Sequence, residues 1–220
     1  PVPKIKCIAW DLDNTLWRGV IGDDGAENVV VDKSAIDIIE RFDELGFIQT
    51  IVSKNTHEIA WAKIEELGIA DYFVYPAINW QPKSVNLFQI VKKLNIGVDS
   101  VAFIDDSEFE RAEVLSALPQ VRCYDALNMS LLIGRNEFEV PPSLESKNRR
   151  LSYKAEEIRT SILETFGGNK LDFLESCELK LMIHCDLSED AKIRCYELLQ
   201  RSNQYNLSTV RYGREEFDNF

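Results

Sequence analysis

The sequence predicts an α/β fold in which a parallel five-stranded sheet carries helices on both faces. Over a little more than half of the chain, short apolar segments that suit buried strands alternate with longer segments whose apolar residues recur at helical spacing. Strands that are separated by helices pair in parallel through right-handed crossovers. Polar clusters follow several of these segments, and functional side chains in such sheets gather at the carboxyl ends of the strands. The two observations together predict a functional site at that edge.

The predicted strands and helices alternate in order along this part of the chain. We predict strands at residues 5–10, 47–52, 73–75, 101–104 and 121–123. We predict helices at residues 35–45, 55–68, 82–94 and 108–118. In the second helix Asn55 is the predicted cap, with Glu58 three residues later, and in the third helix Pro82 suits the first turn.

The segment 19–31 lies between the first strand and the first helix. It places Gly22, Asp23, Asp24 and Gly25 between apolar stretches, a pattern typical of a hairpin. Two interpretations remain open from the sequence: a small flap over the site, or a simple surface loop.

A boundary is predicted at Pro141-Pro142-Ser143, which divides the chain into a catalytic domain at 1–140 and a smaller α+β unit at 141–220. In the smaller unit we predict a helix through Phe166, a half-buried strand at 179–185 and a helix from Ser188 to Gln200. The unit is short for a core of its own, so either it packs on the first domain or it continues in a longer parent chain.

Composition narrows the classes of partner. The net charge of −12 argues against nucleic acid as the main partner, because phosphate backbones need a basic face. The apolar runs are too short for a membrane-spanning helix, so we expect no membrane partner. Five cysteines without Cys-x-x-Cys spacing favour a reduced, cytoplasmic protein. No Gly-x-Gly-x-x-Gly turn supports a dinucleotide site.

Carboxylates follow two of the predicted strands. Asp11 and Asp13 come directly after the first strand, and Asp105 and Asp106 come after the fourth. Carboxylates that share an edge repel one another unless a cation is present, and Mg²⁺ prefers a few carboxylates, water and a substrate phosphate. The pattern therefore indicates a magnesium site.

A hydroxyl and an ammonium group stand at the other predicted strand ends. Ser53 follows the second strand, and Lys83 opens the helix after the third. Ser53 can donate to phosphate oxygens, and Lys83 can offset their charge. Each feature alone is more often a cap, a turn or a solvated side chain, but the ordered set favours phosphoryl transfer.

These residues resemble the four motifs of the haloacid-dehalogenase superfamily, which are here Asp11-Leu12-Asp13-Asn14-Thr15, Ser53, Lys83 and Asp105-Asp106. The resemblance implies a Rossmann-like core and an aspartyl-phosphate intermediate. It implies that Asp11 is the nucleophile and that Asp13 is the acid and base. It implies that Mg²⁺ is held by Asp11, the main-chain carbonyl of Asp13 and Asp106. Asp105 would not bind the metal but would orient Lys83 or a metal-bound water. It also implies that Ser53, Lys83 and Asn14 bind the phosphate.

Further segments resemble the FkbH-like subfamily, namely Lys6-Cys7, Leu16-Trp17, Gly19-Val20-Ile21-Gly22, Ser53-Lys54-Asn55, Asn79-Trp80, Phe103-Ile104 and Arg201-x-Asn203-Gln204-Tyr205-Asn206-Leu207-Ser208-Thr209. This resemblance implies an enzyme of polyketide-type biosynthesis. Such an enzyme dephosphorylates a phosphorylated three-carbon acid, typically a glyceryl compound, and loads the acyl group onto an acyl carrier protein. Family members usually continue into an acyltransferase-like region, of which 141–220 would be the start.

Two departures from the subfamily touch the side that faces the substrate. Arg18 stands where a glycine is usual, and the segment 25–34 is shorter than expected. Two other interpretations therefore stay open: a small-molecule phosphatase without a carrier, and a catalytically silent scaffold.

Several other residues have both a structural and a functional interpretation. Cys7 matches the subfamily, yet its position in a buried strand favours packing over a thiol that carries an acyl group. Cys177, Cys185 and Cys195 cannot be ranked. Trp17 and Trp80 either shape the pocket or pack in the core. His57 is predicted at the surface, and no role is predicted for His184.

A basic stretch in the second unit also has two interpretations. It consists of Lys147, Arg149, Arg150 and Lys154 in an otherwise acidic chain. It is either a solvated helix face or a docking surface for an acidic carrier protein.

Overall fold

A parallel five-stranded sheet is the main element of the N-terminal part of the computed structural model. The structure describes residues 3–139, 144–166, 170–176, 178, 180, 182–183, 188–201 and 213–218. The strands in chain order are β1 Cys7–Trp10, β2 Trp17–Arg18, β3 Val30–Val31, β4 Ile48–Ser53, β5 Ala77–Ile78, β6 Val101–Asp105 and β7 Arg122–Asp125. Within the five-stranded sheet the order is β5-β4-β1-β6-β7. The central strand β1 pairs in parallel with both β4 and β6, so its carboxyl end lies between theirs.

Helices connect the strands of the sheet. In chain order they are α1 Ile21–Asp24, α2 Lys33–Glu44, α3 His57–Glu66, α4 Lys83–Leu94 and α5 Glu108–Ala117. The later helices are α6 Leu144–Thr165, α7 Lys170–Ser176, α8 Glu189–Arg201 and α9 Arg214–Asp218. None of the described helices combines the length and the hydropathy that a membrane crossing requires.

Two apolar clusters lie on opposite faces of the sheet, because successive side chains of a strand point to opposite sides. Ile8 and Trp10 of β1 belong to one cluster, which also contains buried residues of α2 and α3. Cys7 and Ala9 of the same strand belong to the other, which contains buried residues of α4 and α5. The central strands are therefore buried on both faces of the sheet, as their near-continuous apolar segments predict.

Two local predictions are wrong. Residues 73–75 are not a strand, since Tyr75 has a φ of 50° that no strand residue adopts, and Phe73 makes only an isolated bridge to Gln49. The strand that pairs with β4 is β5, a few residues later. Asn55 does not cap α3, because Thr56 precedes that helix and no side chain makes the cap hydrogen bond.

The segment after the first strand contains a two-stranded ribbon. β2 and β3 pair antiparallel, with Trp17 opposite Val31, and α1 lies between them. Gly19 permits the turn into this segment, because its φ is 103° and an added Cβ would lie 2.9 Å from Asp24 Oδ2. The ribbon has the hairpin character that the sequence predicts, and its action as a flap remains a prediction.

Contacts within the chain divide it into two compact units, 1–166 and 167–220. The helix α6 belongs to the first unit: the Tyr153 hydroxyl donates to the carbonyl of Leu94 at 2.9 Å, and Arg150 pairs with Asp43 at 2.7 Å. A compact unit is not by itself a folding domain, so the predicted domain boundary after residue 140 stays a prediction.

The described basic residues of α6 make contacts within the first unit, and a role of this stretch in docking stays a prediction. Arg149 donates to the carbonyl of Gly46, Arg150 to Asp43, and Lys154 to the carbonyl of Ala70. These side chains therefore contribute hydrogen bonds that attach α6 to the rest of the first unit. The side chain of Lys147 lies outside the described part.

The second unit is described by its helices α7, α8 and α9. Several predictions lie wholly or partly outside the described residues: the strand at 179–185, Cys177, Cys185, His184, and the segments 141–143, 167–168 and 202–209.

Candidate active site

The site is built around Asp11, which directly follows β1. The backbone N–H of Asp11 donates to the carbonyl of Ile104 at 2.9 Å, so the chain is still paired with β6 where the carboxylate emerges. Trp10 and Leu12 on either side are completely buried, and this holds the Asp11 backbone in the core. Asp11 itself is only 5% exposed.

Two further carboxylates reach the same place from the neighbouring strand. Asp105 is the last residue of β6, and Asp106 follows it. Carboxylate oxygens of Asp11, Asp105 and Asp106 all lie within 4.8 Å of one another. Parallel pairing of β1 and β6 brings these strand ends together, as the sequence analysis expects.

Lys83 inserts its ammonium group between two of these carboxylates. Its Nζ lies 2.8 Å from Asp11 Oδ1 and 2.6 Å from Asp105 Oδ2, and the residue is 3% exposed. Burial by itself lowers the pKa of Lys83, but the two carboxylates outweigh that effect and leave the pKa above its ordinary value. Lys83 is therefore a fixed cation within the cluster.

One lysine does not neutralise the cluster. Burial raises the pKa of Asp11 to about 7, while Lys83 lowers it and the charge of Asp105 raises it further. Partial desolvation and the charge of Asp105 also raise the pKa of Asp106. The raised pKa values of these neighbouring carboxylates indicate that a further positive charge would stabilise their ionised forms. A hard divalent cation, which prefers oxygen ligands, fits this set of donors.

The three carboxylates differ in how their oxygens are used. Asp105 Oδ2 accepts from Lys83, and its Oδ1 accepts from the backbone N–H of Ser107 at 2.8 Å. Both oxygens of Asp105 are thus engaged by the protein. Asp106 is exposed, so its carboxylate is free to meet a ligand from solvent.

Asp13 lies on the other side of Asp11 in a network of donors. Its Oδ1 accepts from Trp17 Nε1 at 2.8 Å and from the backbone N–H of Ile21 at 3.1 Å. Its Oδ2 accepts from Asn55 Nδ2 at 3.0 Å, and the same amide lies 3.2 Å from the hydroxyl oxygen of Ser53. Asn55 thus links the first motif to the second.

Asn55 and Trp17 are contributors to the site that the sequence analysis does not assign. Asn55 is predicted as a helix cap, whereas its amide faces Asp13. Trp17 is completely buried and yet polar at one end, so it both packs in the core and orients Asp13. The available signal is position alone, since each follows a motif residue within four positions.

The remaining candidates lie farther from the cluster. Asn14 is exposed, has a φ of 54°, and accepts from the backbone N–H of Gly19 at 3.0 Å, so it shapes the turn after the motif. Trp80 is 72% exposed and is not a core residue. His57 is exposed and stacks on Trp61, which agrees with a surface position.

The described cysteines differ in burial. Cys7 is 1% exposed in the sheet, and burial raises the pKa of its thiol to about 12. Cys123 is partly buried, and burial followed by the charge of Asp105 raises its pKa to about 12 as well. Thiols of this kind stay protonated at neutral pH and are poor nucleophiles. Cys195 is partly exposed in the second unit.

A cavity of about 240 Å³ opens beside the first motif. Its polar lining includes Asn14, Thr15, Arg18 and Ser34, and the buried hydroxyl of Thr15 has no hydrogen-bond partner among the described residues. Polar groups next to the loop after Asp11 suit the binding of a small polar molecule.

Solved structures resemble this chain. The N-terminal part of the protein BF1531 from Bacteroides fragilis, which contains a phosphatase domain and is complexed with Mg, is 34% identical with a TM-score of 0.56, and the match covers 62% of this chain and 41% of that one. A HAD-superfamily hydrolase of subfamily IA from Geobacter sulfurreducens is 12% identical with a TM-score of 0.45, over 58% and 99% of the two chains. The HAD family enzyme bt-2542 from Bacteroides thetaiotaomicron, in complex with magnesium and inorganic phosphate, is 13% identical with a TM-score of 0.44, over 55% and 93%.

No protein-family model and no curated protein matches the chain. The chain spans about two fifths of the Bacteroides fragilis structure, with 41% of it covered. The sheet order and the apolar clusters on its two faces confirm the predicted fold class, an α/β fold with a parallel five-stranded sheet and helices on both faces.

Proposed function

We propose that this chain is a magnesium-dependent phosphoryl-transfer enzyme of the haloacid-dehalogenase type. The observation that carries the proposal is the cluster in which carboxylate oxygens of Asp11, Asp105 and Asp106 lie within 4.8 Å of one another, with the ammonium of Lys83 between Asp11 and Asp105. Such a cluster has a nucleophile, a cation to offset phosphate charge and ligands for a metal. The Bacteroides fragilis structure, a phosphatase domain complexed with Mg, supports the same chemistry.

Asp11 and Asp106, with the main-chain carbonyl of Asp13, are the proposed ligands of Mg²⁺. The metal supplies positive charge that offsets the phosphate oxygens. Asp105 is proposed to support the site without binding the metal, because its two oxygens already accept hydrogen bonds from Lys83 and from the backbone N–H of Ser107. Its contact with Lys83 holds that ammonium towards Asp11.

Asp11 is proposed to attack phosphorus in line. One carboxylate oxygen forms the new bond to phosphorus as the bond to the leaving oxygen breaks, and the leaving oxygen departs with the electron pair. Asp13 donates a proton to that oxygen when it needs one. Asp13 then removes a proton from water, the water oxygen attacks phosphorus, and the Asp11 carboxylate is released.

The neighbours of Asp13 suit this double role. Trp17, Asn55 and the backbone N–H of Ile21 all donate to its carboxylate, so they orient the side chain for both steps. Because Ile21 opens α1 in the ribbon segment, the position of that segment and the orientation of Asp13 are linked.

Ser53 and Lys83 are proposed to bind the transferred phosphoryl group, with Asn14 at the turn above it. Ser53 is 1% exposed and sits at the end of β4, so its hydroxyl is held rigidly. Lys83 neutralises charge that spreads over the phosphoryl oxygens in the transition state.

The finer proposal concerns the substrate. The FkbH-like resemblance supports a three-carbon acyl phosphate that carries a second phosphate ester and whose acyl group is loaded onto an acyl carrier protein. In the loading step the carrier thiol attacks the acyl carbonyl carbon, the C–S bond forms and the C–O bond to phosphate breaks, so that phosphate leaves with the electron pair. Asp11 is proposed to remove the second phosphate, the ester, by the attack on phosphorus described above. The cavity beside Asn14 and Thr15 has room for the remainder of a small acid, and Arg18 at its edge provides a positive charge. The burial of Cys7, which raises the pKa of its thiol to about 12, favours packing over a role as the acyl carrier within the chain.

Two other functions are compatible with the same cluster. A small-molecule phosphatase would use the site without a carrier protein, and a scaffold would keep the fold without turnover. The complete set of Asp11, Asp13, Lys83 and Asp106 favours an enzyme.

One experiment tests the proposal. The protein is incubated with Mg²⁺ and a panel of three-carbon acyl phosphates, phosphate release is measured, and intact mass reveals an adduct on an added carrier protein. We expect release that EDTA abolishes and that Asp11→Asn reduces by roughly 10²–10³-fold. Retained turnover in Asp11→Asn removes the nucleophile assignment. Release without a loaded carrier selects the phosphatase, and no release from any substrate selects the scaffold.

A further inference from the structure

The helix α4, whose first residue is Lys83, is capped by a side chain from another helix. Its N-cap position is occupied by Pro82, which offers no side-chain hydrogen bond. Glu113 of α5 takes that place: its Oε2 accepts from the backbone N–H of Ser84 at 3.2 Å, and its Oε1 accepts from the Ser84 hydroxyl at 2.5 Å. A carboxylate at this position satisfies an unpaired N–H and suits the positive end of the helix dipole.

The cap lies one residue from Lys83. Ser84 is 6% exposed, so water cannot readily replace the Glu113 carboxylate. A fixed Ser84 backbone fixes where the Lys83 side chain begins, and that side chain must reach two acceptors at 2.8 and 2.6 Å in a buried space. A small rotation of the first turn of α4 would break one of these contacts.

Other residues of α5 make equivalent contacts with the rest of the site. Arg111 donates to the main-chain carbonyl of Asp105 at 2.6 Å. Glu110 pairs at 2.9 Å with Lys54, the residue next to Ser53. Residues within about one turn of α5 thus bond to Asp105 itself and to the chain neighbours of Ser53 and Lys83.

We propose that Glu113 is a positioning residue that sets the Lys83 ammonium for phosphate binding by capping α4 from α5. The proposal rests on the proposed function of Lys83. Glu113 itself touches neither the phosphate nor the metal ligands, so its effect must pass through Ser84 and Lys83. Through the contacts of Glu110 with Lys54 and of Arg111 with the carbonyl of Asp105, α5 also fixes the positions of the segments that carry Ser53 and Asp105.

The test compares kcat/KM for phosphate release, and the affinity for inorganic phosphate with Mg²⁺ present, across a set of variants. Glu113→Ala removes both acceptors, and we expect kcat/KM and phosphate affinity to fall roughly 10- to 100-fold, since small misplacements of a binding group have effects of that size. Glu113→Gln can still accept from the Ser84 N–H and donate to its hydroxyl oxygen, so it should remain within about threefold of the wild type. Ser84→Ala, which keeps the backbone contact, should fall between them.

The control variant is Glu108→Ala, which removes the same charge from an exposed position on the same helix. It should change neither quantity. A purely structural role for Glu113 is tested with Lys83→Ala: if Glu113 acts through Lys83, Glu113→Ala has no further effect in the Lys83→Ala protein.

Three outcomes separate the possibilities. Loss in Glu113→Ala, recovery in Glu113→Gln and non-additivity with Lys83→Ala support the proposal. Unchanged phosphate affinity in Glu113→Ala, or a loss that adds fully to that of Lys83→Ala, overturns it. A wild-type protein without any magnesium-dependent phosphate release contradicts the proposed function instead. If Glu113→Ala does not fold, Ser84→Ala and Glu113→Gln still give the same comparison.

Discussion

The side-chain amide of Asn55 donates to Asp13 Oδ2 at 3.0 Å, across 42 positions of sequence. Asn55 follows β4, and Asp13 belongs to the loop after β1, so this single bond joins the loops of two neighbouring strands. Its effect is to hold the Asp13 carboxylate in one orientation.

Asn55→Ala should slow turnover by roughly tenfold, because it removes one of the donors that orient the proposed acid and base. The KM for the substrate should change little, since Asn55 does not hold the phosphate. Steady-state kinetics at saturating Mg²⁺ measure both quantities. If instead KM rose by a similar factor and kcat stayed unchanged, Asn55 would act in substrate binding.

Lys83→Met should reduce kcat/KM by roughly 10²–10³-fold, because it removes the cation that offsets phosphate charge. It also leaves Asp11 and Asp105 without their counter-charge in a buried space, so the metal-free protein should be less stable. The matched control is Lys92→Met, an exposed lysine on the same helix. Equal losses of activity in the two variants would argue against a role for Lys83.

Magnesium should stabilise the protein more at high pH than at low pH. Burial raises the pKa of Asp11 from the ordinary 3.8 to about 7 in the folded protein without metal. Between these values the folded state binds the extra proton, so the free energy of unfolding falls as pH rises from about 4 to 7. Above that range Asp11 is ionised, and bound Mg²⁺ offsets the charge and restores stability.

Urea unfolding with EDTA and with Mg²⁺, at a series of pH values, checks this expectation. Asp11→Asn cannot ionise at this position and should lose both the slope and most of the magnesium effect. A stabilisation by Mg²⁺ that is equal at pH 5 and pH 8 would contradict the linkage with Asp11.

Cys7 should be inert in the native protein. Its thiol is buried, and the pKa of about 12 keeps it protonated at neutral pH. Alkylation followed by mass spectrometry should label Cys7 only after unfolding. Cys7→Ala should keep the catalytic activity and lose about 1 kcal/mol of stability through a small cavity. An acyl adduct on Cys7 would overturn this assignment.

Arg150→Ala should lower the free energy of unfolding by about 1–2 kcal/mol, because Arg150 donates twice to Asp43 and once to the carbonyl of Asp71. Arg159→Ala on the same helix removes only an exposed pair with Glu156, so it should cost little. Urea unfolding compares the two. A loss of carrier loading in Arg150→Ala at unchanged stability would restore the docking interpretation of this stretch.

Much of the site could be predicted because it depends on strand ends. Asp11, Ser53 and Asp105 end strands or directly follow them, and apolar runs reveal buried strands in a sequence. Asn55 and Glu113 could not be assigned in the same way. Their partners, Asp13 and Ser84, lie 42 and 29 positions away, and an amide or a carboxylate near a helix start has many ordinary local uses.

The wrong strand prediction and the open interpretation of the basic stretch also arise because a local sequence pattern does not show tertiary contacts or backbone conformation. Residues 73–75 have the apolar and aromatic character of a strand. The left-handed backbone conformation of Tyr75 interrupts the extended segment, so the strand begins only at Ala77. The basic residues of α6 carry no mark in the sequence that distinguishes a solvated face from one that binds Asp43 and backbone carbonyls.

The amino-acid sequence by itself determined the alternation of strands and helices, and with it the edge of the sheet at which the acidic, hydroxyl and amino side chains would meet. Hydrophobic periodicity is a local property, so it is visible residue by residue. Only the tertiary structure decided that Lys83 lies between Asp11 and Asp105, 72 and 22 positions away, and that α5 caps α4. Those contacts depend on how helices pack across the sheet, and packing is a property of the whole fold.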